Sequence, residues 1–353
     1  MRKRKVTTSR RFTLCRVLSA LLFCGSAAAN ADSVEDFYRG KTVNFEIGDA
    51  PGGGYDIYAH FVARFLGAHI PGNPVVVARN MPGAGSRTAA GYVYKVAAPD
   101  GLTIGASEEA LPLEQAVGDE TIPFDTAKLN WIGSPDSDNK VVVTWFTSGV
   151  KTIEDAKNRE VQMGASADTT SSQYMNAMNA LIGTRFKIVY GYPGGGDINL
   201  AMERGEVAGR GSSSWATWKA KPEVLRDHKI NVLVQIGFDK ASGLEDVPLL
   251  IDLGGNADDR EIFKLLSAPT AIGHPIFTSP GVPPERVNAL RDAFDATMRD
   301  PAFIDEARKL KLDVQPTQGQ KLQQIVADIL SAPKPIRDRL APIIITRTQS
   351  KTP

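Results

Sequence analysis

The sequence predicts an α/β fold of two lobes joined by two crossover strands. Three observations predict it. Short apolar runs alternate with amphipathic stretches, the rhythm of a parallel sheet with helices on both faces. A second set of the same kind begins near Val141, and long amphipathic helices return after Ser267. No low-complexity linker separates the halves, so the segments 131–140 and 267–277 read as strand-like crossings. Two crossings make one lobe discontinuous: residues 32–137 with 269–353 form lobe one, and 138–268 form lobe two. A chain of 353 residues is long enough for two cores.

The first 31 residues stand apart. Arg2, Lys3, Arg4, Lys5, Arg10, Arg11 and Arg16 are basic, and no acid precedes Asp32. An apolar run over 17–29 follows, and Ala29-Asn30-Ala31 places small residues at −3 and −1. This is the pattern of a secretory signal peptide over residues 1–31, removed on export; the run is too short to span a bilayer comfortably. Its removal takes seven of 41 basic residues, leaving 34 against 40 acids, a net charge of −6. That balance argues against nucleic acid or an anionic membrane surface as a partner. Both cysteines, Cys15 and Cys24, lie in the same segment. The mature chain therefore has no disulfide, thiolate metal site or cysteine nucleophile, and its stability rests on core packing.

In the mature chain, 43–47 reads as a buried strand. A glycine-rich turn follows, then a helix from about Asp56 with Ile57, Phe61, Phe65 and Leu66 on one face. The run 75–78 is the next strand, followed by a second glycine turn and a helix through Val93 and Val96; 103–106 is a third strand. The second set has strands at 141–146, 161–165, 186–190 and 232–236. Its helices lie at 172–182 and 197–204, the latter stopped by Gly205. Pro284 opens a helix over 285–298 whose stripe is Val287, Leu290, Phe294 and Met298. Asp300-Pro301 caps the next, with Phe303, Ile304, Ala307 and Leu310 inward, and another spans about 318–330. The proline-rich tail from Ala332 is expected to wrap one lobe.

Five turns rich in Gly and Ser follow these strands. Pro51-Gly52-Gly53-Gly54-Tyr55-Asp56 opens a helix. Its glycines let backbone approach a ligand and leave N–H groups free, and the helix N-terminus adds a partial positive charge suited to an anion. Asp56 reads as the helix N-cap, a role compatible with ligand contact. The glycine spacing fits neither a dinucleotide fingerprint nor a P-loop. Asn80-Met81-Pro82-Gly83-Ala84-Gly85-Ser86 repeats the device. There Ser86 is a cap or a ligand hydroxyl, and Arg87 pairs with a ligand carboxylate or with an acid of the chain. Ala165-Ser166-Ala167-Asp168-Thr169-Thr170-Ser171-Ser172, Tyr192-Pro193-Gly194-Gly195-Gly196-Asp197 and Gly209-Arg210-Gly211-Ser212-Ser213-Ser214 complete the set.

Each alone is only a turn. Together they ring the strand ends, where open α/β sheets bind ligands, with amides and hydroxyls suited to a carboxylate. The candidate ligand-binding residues are Gly52, Gly53, Gly54, Tyr55, Asp56, Asn80, Pro82, Gly83, Ala84, Gly85 and Ser86 in lobe one. In lobe two they are Ser166, Thr169, Thr170, Gly194, Gly195, Asp197 and Ser212. Backbone amides are expected to lead, with Arg87 and Arg210 the cations inside the motifs. Two lobes facing each other make a cleft whose natural motion is hinge closure.

Two of these runs, Gly52-Gly53-Gly54-Tyr55-Asp56 and Asn80-Met81-Pro82-Gly83-Ala84-Gly85, followed by Ala98-Pro99-Asp100-Gly101-Leu102-Thr103, resemble the solute-binding proteins of tripartite tricarboxylate transporters, the Bug receptors. Gly191-Tyr192-Pro193-Gly194-Gly195 and Ala201-Met202-Glu203-Arg204-Gly205-Glu206-Val207 extend the likeness over essentially the whole mature chain. The order and spacing of the blocks make it specific. The resemblance implies a type II-like Venus-flytrap binding protein in the periplasm. It also implies a small organic acid as ligand (a di- or tricarboxylate, an aromatic acid or an amino acid), delivered to a permease of large and small membrane subunits. Some positions depart from the family pattern. His60 stands where many relatives carry Arg, Asp49 where an apolar residue is common, and Glu108 and Glu109 where small polar residues are usual. Extra acids near the cleft repel a tricarboxylate and leave room for an amine-bearing or aromatic acid.

Other classes fit less well. The sequence has no His-Glu-x-x-His, Gly-x-Ser-x-Gly, Walker loop or cysteine pair. His60, His69, His228 and His274 sit singly, without metal-like spacing. A hydrolase assembled from distant residues is the enzymatic alternative; the expectation is no enzyme, no cofactor and no metal. A sensor signalling through a membrane partner would share the same fold and pocket. Trp145, Trp215 and Trp218 read as buried packing rather than ligand-stacking residues.

Overall fold

The computed structural model describes residue 1 and residues 33–137, 139–166 and 170–345. The expected signal peptide and Thr169 lie outside the described residues.

In chain order, α1 (Val34–Tyr38) leads into β1 (Thr42–Ile47), α2 (Gly54–Leu66), β2 (Val75–Asn80), α3 (Arg87–Lys95), β3 (Thr103–Ala106), α4 (Leu111–Ala116) and β4 (Asn130–Ser134). Next come β5 (Lys140–Trp145), α5 (Ile153–Asn158), β6 (Val161–Gly164), α6 (Thr170–Ile182), β7 (Phe186–Val189), α7 (Gly195–Glu203), β8 (Gly209–Ser214), α8 (Trp215–Lys219), α9 (Pro222–Arg226), β9 (Ile230–Ile236) and α10 (Ala257–Ser267). The chain closes with β10 (Ile276–Thr278), α11 (Pro284–Arg299), α12 (Pro301–Leu310), β11 (Thr317–Gln318), α13 (Gly319–Leu330) and α14 (Lys334–Ile344).

The strands form two sheets, and the fold is the two-lobed α/β arrangement that the sequence predicts. One sheet has the order β11-β4-β10-β3-β1-β2, the other β7-β6-β8-β5-β9. Neither is wholly parallel, which corrects the sequence reading. β1, β2 and β3 run parallel, as do β6, β7 and β8. β10 is antiparallel to β3 and β4, and β5 to β8 and β9. The antiparallel partners are strands next to the crossings, where the chain enters a sheet from its far end. The second crossing is not strand-like throughout: α10 runs into a 3-10 turn over Ala268–Ala271 before β10 begins.

Local chemistry explains most elements. Val43, Phe45 and Ile47 on β1 are all fully buried. Asp300 caps α12 by accepting from the Ala302 N–H at 2.8 Å. On α2 the buried face is Tyr58, Phe61, Val62 and Leu66, while Ile57 is exposed and Phe65 half-buried, a rotation from the expected stripe. Leu310 on α12 is likewise exposed.

The largest correction is β8. Its Gly-Arg-Gly-Ser-Ser-Ser sequence reads as a turn, yet it is the central strand of the second sheet. The small residues are steric necessities. A Cβ on Gly209 would lie 2.2 Å from the Val143 carbonyl oxygen, and one on Gly211 would lie 2.4 Å from that of Ser171 on α6. Behind the sheets a continuous apolar core joins Val93, Leu113, Trp131 and Leu322 to Tyr174, Met178, Phe263 and Leu340. The tail after Ala332 forms α14, which packs on α6 and α10.

Candidate functional site

The turns after β1, β2 and β3 meet at the carboxyl ends of those strands. Asp49 sets their arrangement. Its carboxylate accepts the Ala50 N–H at 2.8 Å and faces the Tyr55 and Asp56 amides at the start of α2. Gly53 makes room for it, since a Cβ there would lie 2.0 Å from Asp49 Oδ2. Burial raises the Asp49 carboxyl above its usual range, against the lowering effect of those amides.

Asp56 is not the N-cap; Gly53 holds that position. From the third helical residue Asp56 reaches back to the Gly52 N–H at 2.8 Å, one residue beyond the N-cap. Its other oxygen accepts from Asn80 Nδ2 at 2.6 Å and lies 3.2 Å from His60 Nε2. Asn80 also donates to the Asp49 carbonyl at 2.9 Å, tying the first two turns together.

Ser86 neither caps α3 nor points outward. It is buried, donates to the Gly48 carbonyl at 3.0 Å and accepts the Glu108 N–H at 2.9 Å, so it ties the ends of β1 and β3. Residues 83–86 all have positive φ, with Ala84 at 47° and Ser86 at 65°, conformations that non-glycine residues adopt only when held. Pro82, Gly83 and Ala84 are exposed on the rim and Gly85 is half-buried. Arg87 pairs with Glu114 at 2.9 Å and Asp119 at 2.7 Å.

Between the sheets lies a polar cluster. Glu109 is fully buried, with Lys140 Nζ at 3.1 Å. Asp136 is fully buried, with His274 Nδ1 at 3.5 Å. The His274 ring stacks on Tyr58 with centroids 4.2 Å apart and lies 4.9 Å from Tyr55. The Tyr55 hydroxyl lies 3.4 Å from the Glu109 amide. Half-buried Glu108 is pushed up to about 8 by burial, then by Glu114, Glu109 and Asp49, with Arg87 opposing. Burial raises the Glu109 carboxyl as well, although Lys140 and His274 oppose it. From the second sheet's side, Gln173 on α6 donates to Glu114 Oε1 at 2.8 Å.

In the second lobe, the Ser166 N–H donates to Ser171 Oγ at 3.3 Å just before α6. Thr170 opens α6, Gly194 is the N-cap of α7, Gly195 its first residue, and Asp197 is exposed in its first turn. Ser212 sits within β8, so its place is a sheet and not a loop. Arg210 donates to the Gly195 carbonyl and to Asn199 Oδ1, both at 3.0 Å, and to the Ser212 carbonyl at 2.9 Å. Desolvation lowers its guanidinium to about 10. Lys219 on α8 pairs with Asp313, between α12 and β11, at 2.5 Å, and the Tyr58 hydroxyl on α2 donates to the Asp313 carbonyl at 2.9 Å.

Asp136, Lys140, Gln173, Tyr174 and Tyr58 are absent from the sequence-derived set, and His274 appears there only as an isolated residue. Asp136, Lys140 and His274 lie at or beside the crossings; no local pattern marks them. Trp215 and Trp218 are buried in the second lobe, each with its indole N–H bonded to an oxygen. Among the described residues, no group of three or more His, Cys, Asp or Glu is arranged to hold a metal ion. No described helix is long and apolar enough to cross a membrane.

A family model described as "Tripartite tricarboxylate transporter family receptor" matches residues 62–341. The "UPF0065 protein in gbd 5'region" of Cupriavidus necator is 25% identical over 346 residues, covering 92% of this chain and 95% of that protein. MatC from Rhodopseudomonas palustris, solved with bound malate, aligns with a TM-score of 0.64 at 17% identity, over 86% of this chain and 99% of its own. A second R. palustris protein, solved with adipate, aligns with a TM-score of 0.65 at 19% identity, over 86% and 97%. The structural likenesses carry the two-lobed binding-protein fold, and the family match spans most of the sequence: the chain belongs to the receptor family of tripartite tricarboxylate transporters.

Proposed function

We propose that this protein captures a small organic acid in the periplasm and hands it to a membrane permease of one large and one small subunit. The cleft lies between the half built on the β1–β4 and β10 sheet and the half built on the β5–β9 sheet, the latter packed by α14, and the Gly- and Ser-rich turns of both halves contact the ligand. The protein binds its ligand and does not turn it over. The observation that carries this reading is the gathering of turns and helix N-termini at the carboxyl ends of β1, β2, β3, β6 and β7. Such ends supply fixed donors for an acid that loses its hydration on closure. The relatives solved with malate and adipate support the same class.

A thermal-shift screen of the mature protein tests it, with mono-, di- and tricarboxylates, aromatic acids and amino acids as probes. A ligand at a hundred times its dissociation constant stabilises the fold by about 2.7 kcal/mol, which in a chain of this size raises the melting temperature by roughly 4 °C. No shift with any acid overturns the reading. Mass spectrometry of periplasmic protein is expected to find a chain beginning at Asp32. Deletion of the gene is expected to abolish uptake of the identified acid.

A further inference from the structure

Two cations stand inside the Gly- and Ser-rich motifs, and the fold treats them differently. Arg87 is neutralised by Glu114 and Asp119. Half-buried Arg210 meets neutral oxygens: Nε donates to the Ser212 carbonyl, and Nη1 donates to the Gly195 carbonyl and to Asn199 Oδ1. Among the described residues no carboxylate pairs with Arg210, and Nη2 has no hydrogen-bond partner. Nη2 is not sealed from solvent either, so its two N–H groups point to the open side. Three neutral acceptors need donors and not a charge, and a guanidinium desolvated without a counter-charge costs free energy. Holding α7 against β8 therefore does not account for a cation at this position.

Arg210 also stands on the edge where α/β sheets bind ligands. It lies in register with Gly164, the last residue of β6. Its guanidinium rests against the first residue of α7, where a Cβ on Gly195 would lie 2.7 Å from Nη2. The glycine leaves the room that the cation fills. The N–H groups of Gly195, Gly196 and Asp197 make no hydrogen bond among the described residues, and no side chain caps this nine-residue helix. Asp197, the acid of that turn, is exposed and forms no ion pair with Arg210. The start of α2 is the opposite case, since the chain's own Asp49 carboxylate faces its first amides. One helix start thus brings its own anion; the other brings a cation and lacks the anion.

We propose that Arg210 receives a carboxylate of the ligand, which bridges Nη2 and the open amides at the start of α7. This rests on the carboxylate reading above and names the residue that takes the charge. The guanidinium gains its counter-charge, and α7 gains a cap at its positive end. The bonds to Gly195, Asn199 and Ser212 hold the fork in place beforehand, so little side-chain freedom is lost when the acid arrives.

Isothermal titration with succinate, malate, adipate and benzoate tests the proposal. For an acid that binds the parent, Arg210→Gln is expected to weaken binding at least about thirtyfold. Arg210→Lys, which keeps the charge and loses the fork, is expected to bind within about tenfold of the parent. A residue that only staples α7 to β8 gives the reverse order, because glutamine keeps neutral donors for the same oxygens; glutamine binding as well as lysine overturns the proposal. Gly195→Ala separates the role from folding. Only the flexible end of Arg210 stands in the way of the added methyl group. The urea midpoint is therefore expected to stay at that of the parent, while affinity falls about tenfold as the guanidinium shifts. Should circular dichroism show that Arg210→Gln does not fold, Gly195→Ala decides, and unchanged affinity there overturns the proposal. If none of these acids binds the parent, the carboxylate reading falls and this assignment falls with it.

Discussion

At the scale of the residue, Asp49 and Gly53 work as a pair: one supplies a carboxylate to the start of α2, the other leaves the space for it. Gly53→Ala is expected to push that carboxylate out and cost about 1–3 kcal/mol in urea denaturation. A variant as stable as the parent would show that Asp49 is not seated there. Glu108 makes a second prediction. Its folded-state value, about 8, lies above the ordinary 4.5, so the folded state holds the proton more tightly than the unfolded state. Its contribution is therefore present below about pH 4.5 and is lost as pH rises through about 8. Glu108→Gln is expected to melt with the parent near pH 5 and several degrees above it near pH 8.5, read by calorimetry. The gain should be on the order of 1–2 kcal/mol, well below full conversion of the shift, because solvent reaches the carboxyl. The turns that bring these residues together were legible in sequence, because glycine and serine report backbone geometry locally. Which carboxylate would fold back onto the helix was not. Asp49 and Asp56 are both short acids beside the same glycines, and only the path of the turn separates them.

At the scale of the element, β8 shows where hydrophobic patterning fails. A strand crossed closely by α6 and flanked by β5 and β6 has no room for branched side chains, so its sequence reads as a turn. Gly209→Ala and Gly211→Ala are each expected to destabilise by about 1–3 kcal/mol through overpacking. Gly196→Ala on α7, whose Cβ would meet nothing within 4 Å, is expected to be neutral or slightly stabilising. Comparable losses at all three positions, measured by urea denaturation, would attribute the effect to backbone freedom and not to packing. Helices and apolar strands such as β1, β3 and α11 were legible because burial on a definite face repeats along them. Their strand directions were not, since side-chain periodicity is the same in parallel and antiparallel strands.

At the scale of the whole molecule, the pairing of Lys219 with Asp313 joins α8 to the segment before β11, and in the binding protein proposed above it bears on closure. Both side chains are more than a third exposed, so the pair is worth about 0–1 kcal/mol. Lys219→Ala is expected to leave the melting temperature of the ligand-free protein within about a degree or two and to speed ligand release no more than about fivefold. A loss of affinity beyond tenfold, measured by stopped-flow and titration, would make Lys219 a ligand contact. The two-lobed plan was legible because the strand–helix rhythm restarts after the crossing. The late segments belong to cores begun much earlier. β10 lies between β3 and β4 in the first sheet, and Leu340 of α14 is buried in the core that contains α6. During synthesis neither half can complete itself while the last segments are still on the ribosome, so the nascent chain stays incompletely packed for most of its growth. For a polypeptide exported as proposed here, that delay is useful: the chain reaches the translocation machinery still threadable, and folding finishes on the far side of the membrane.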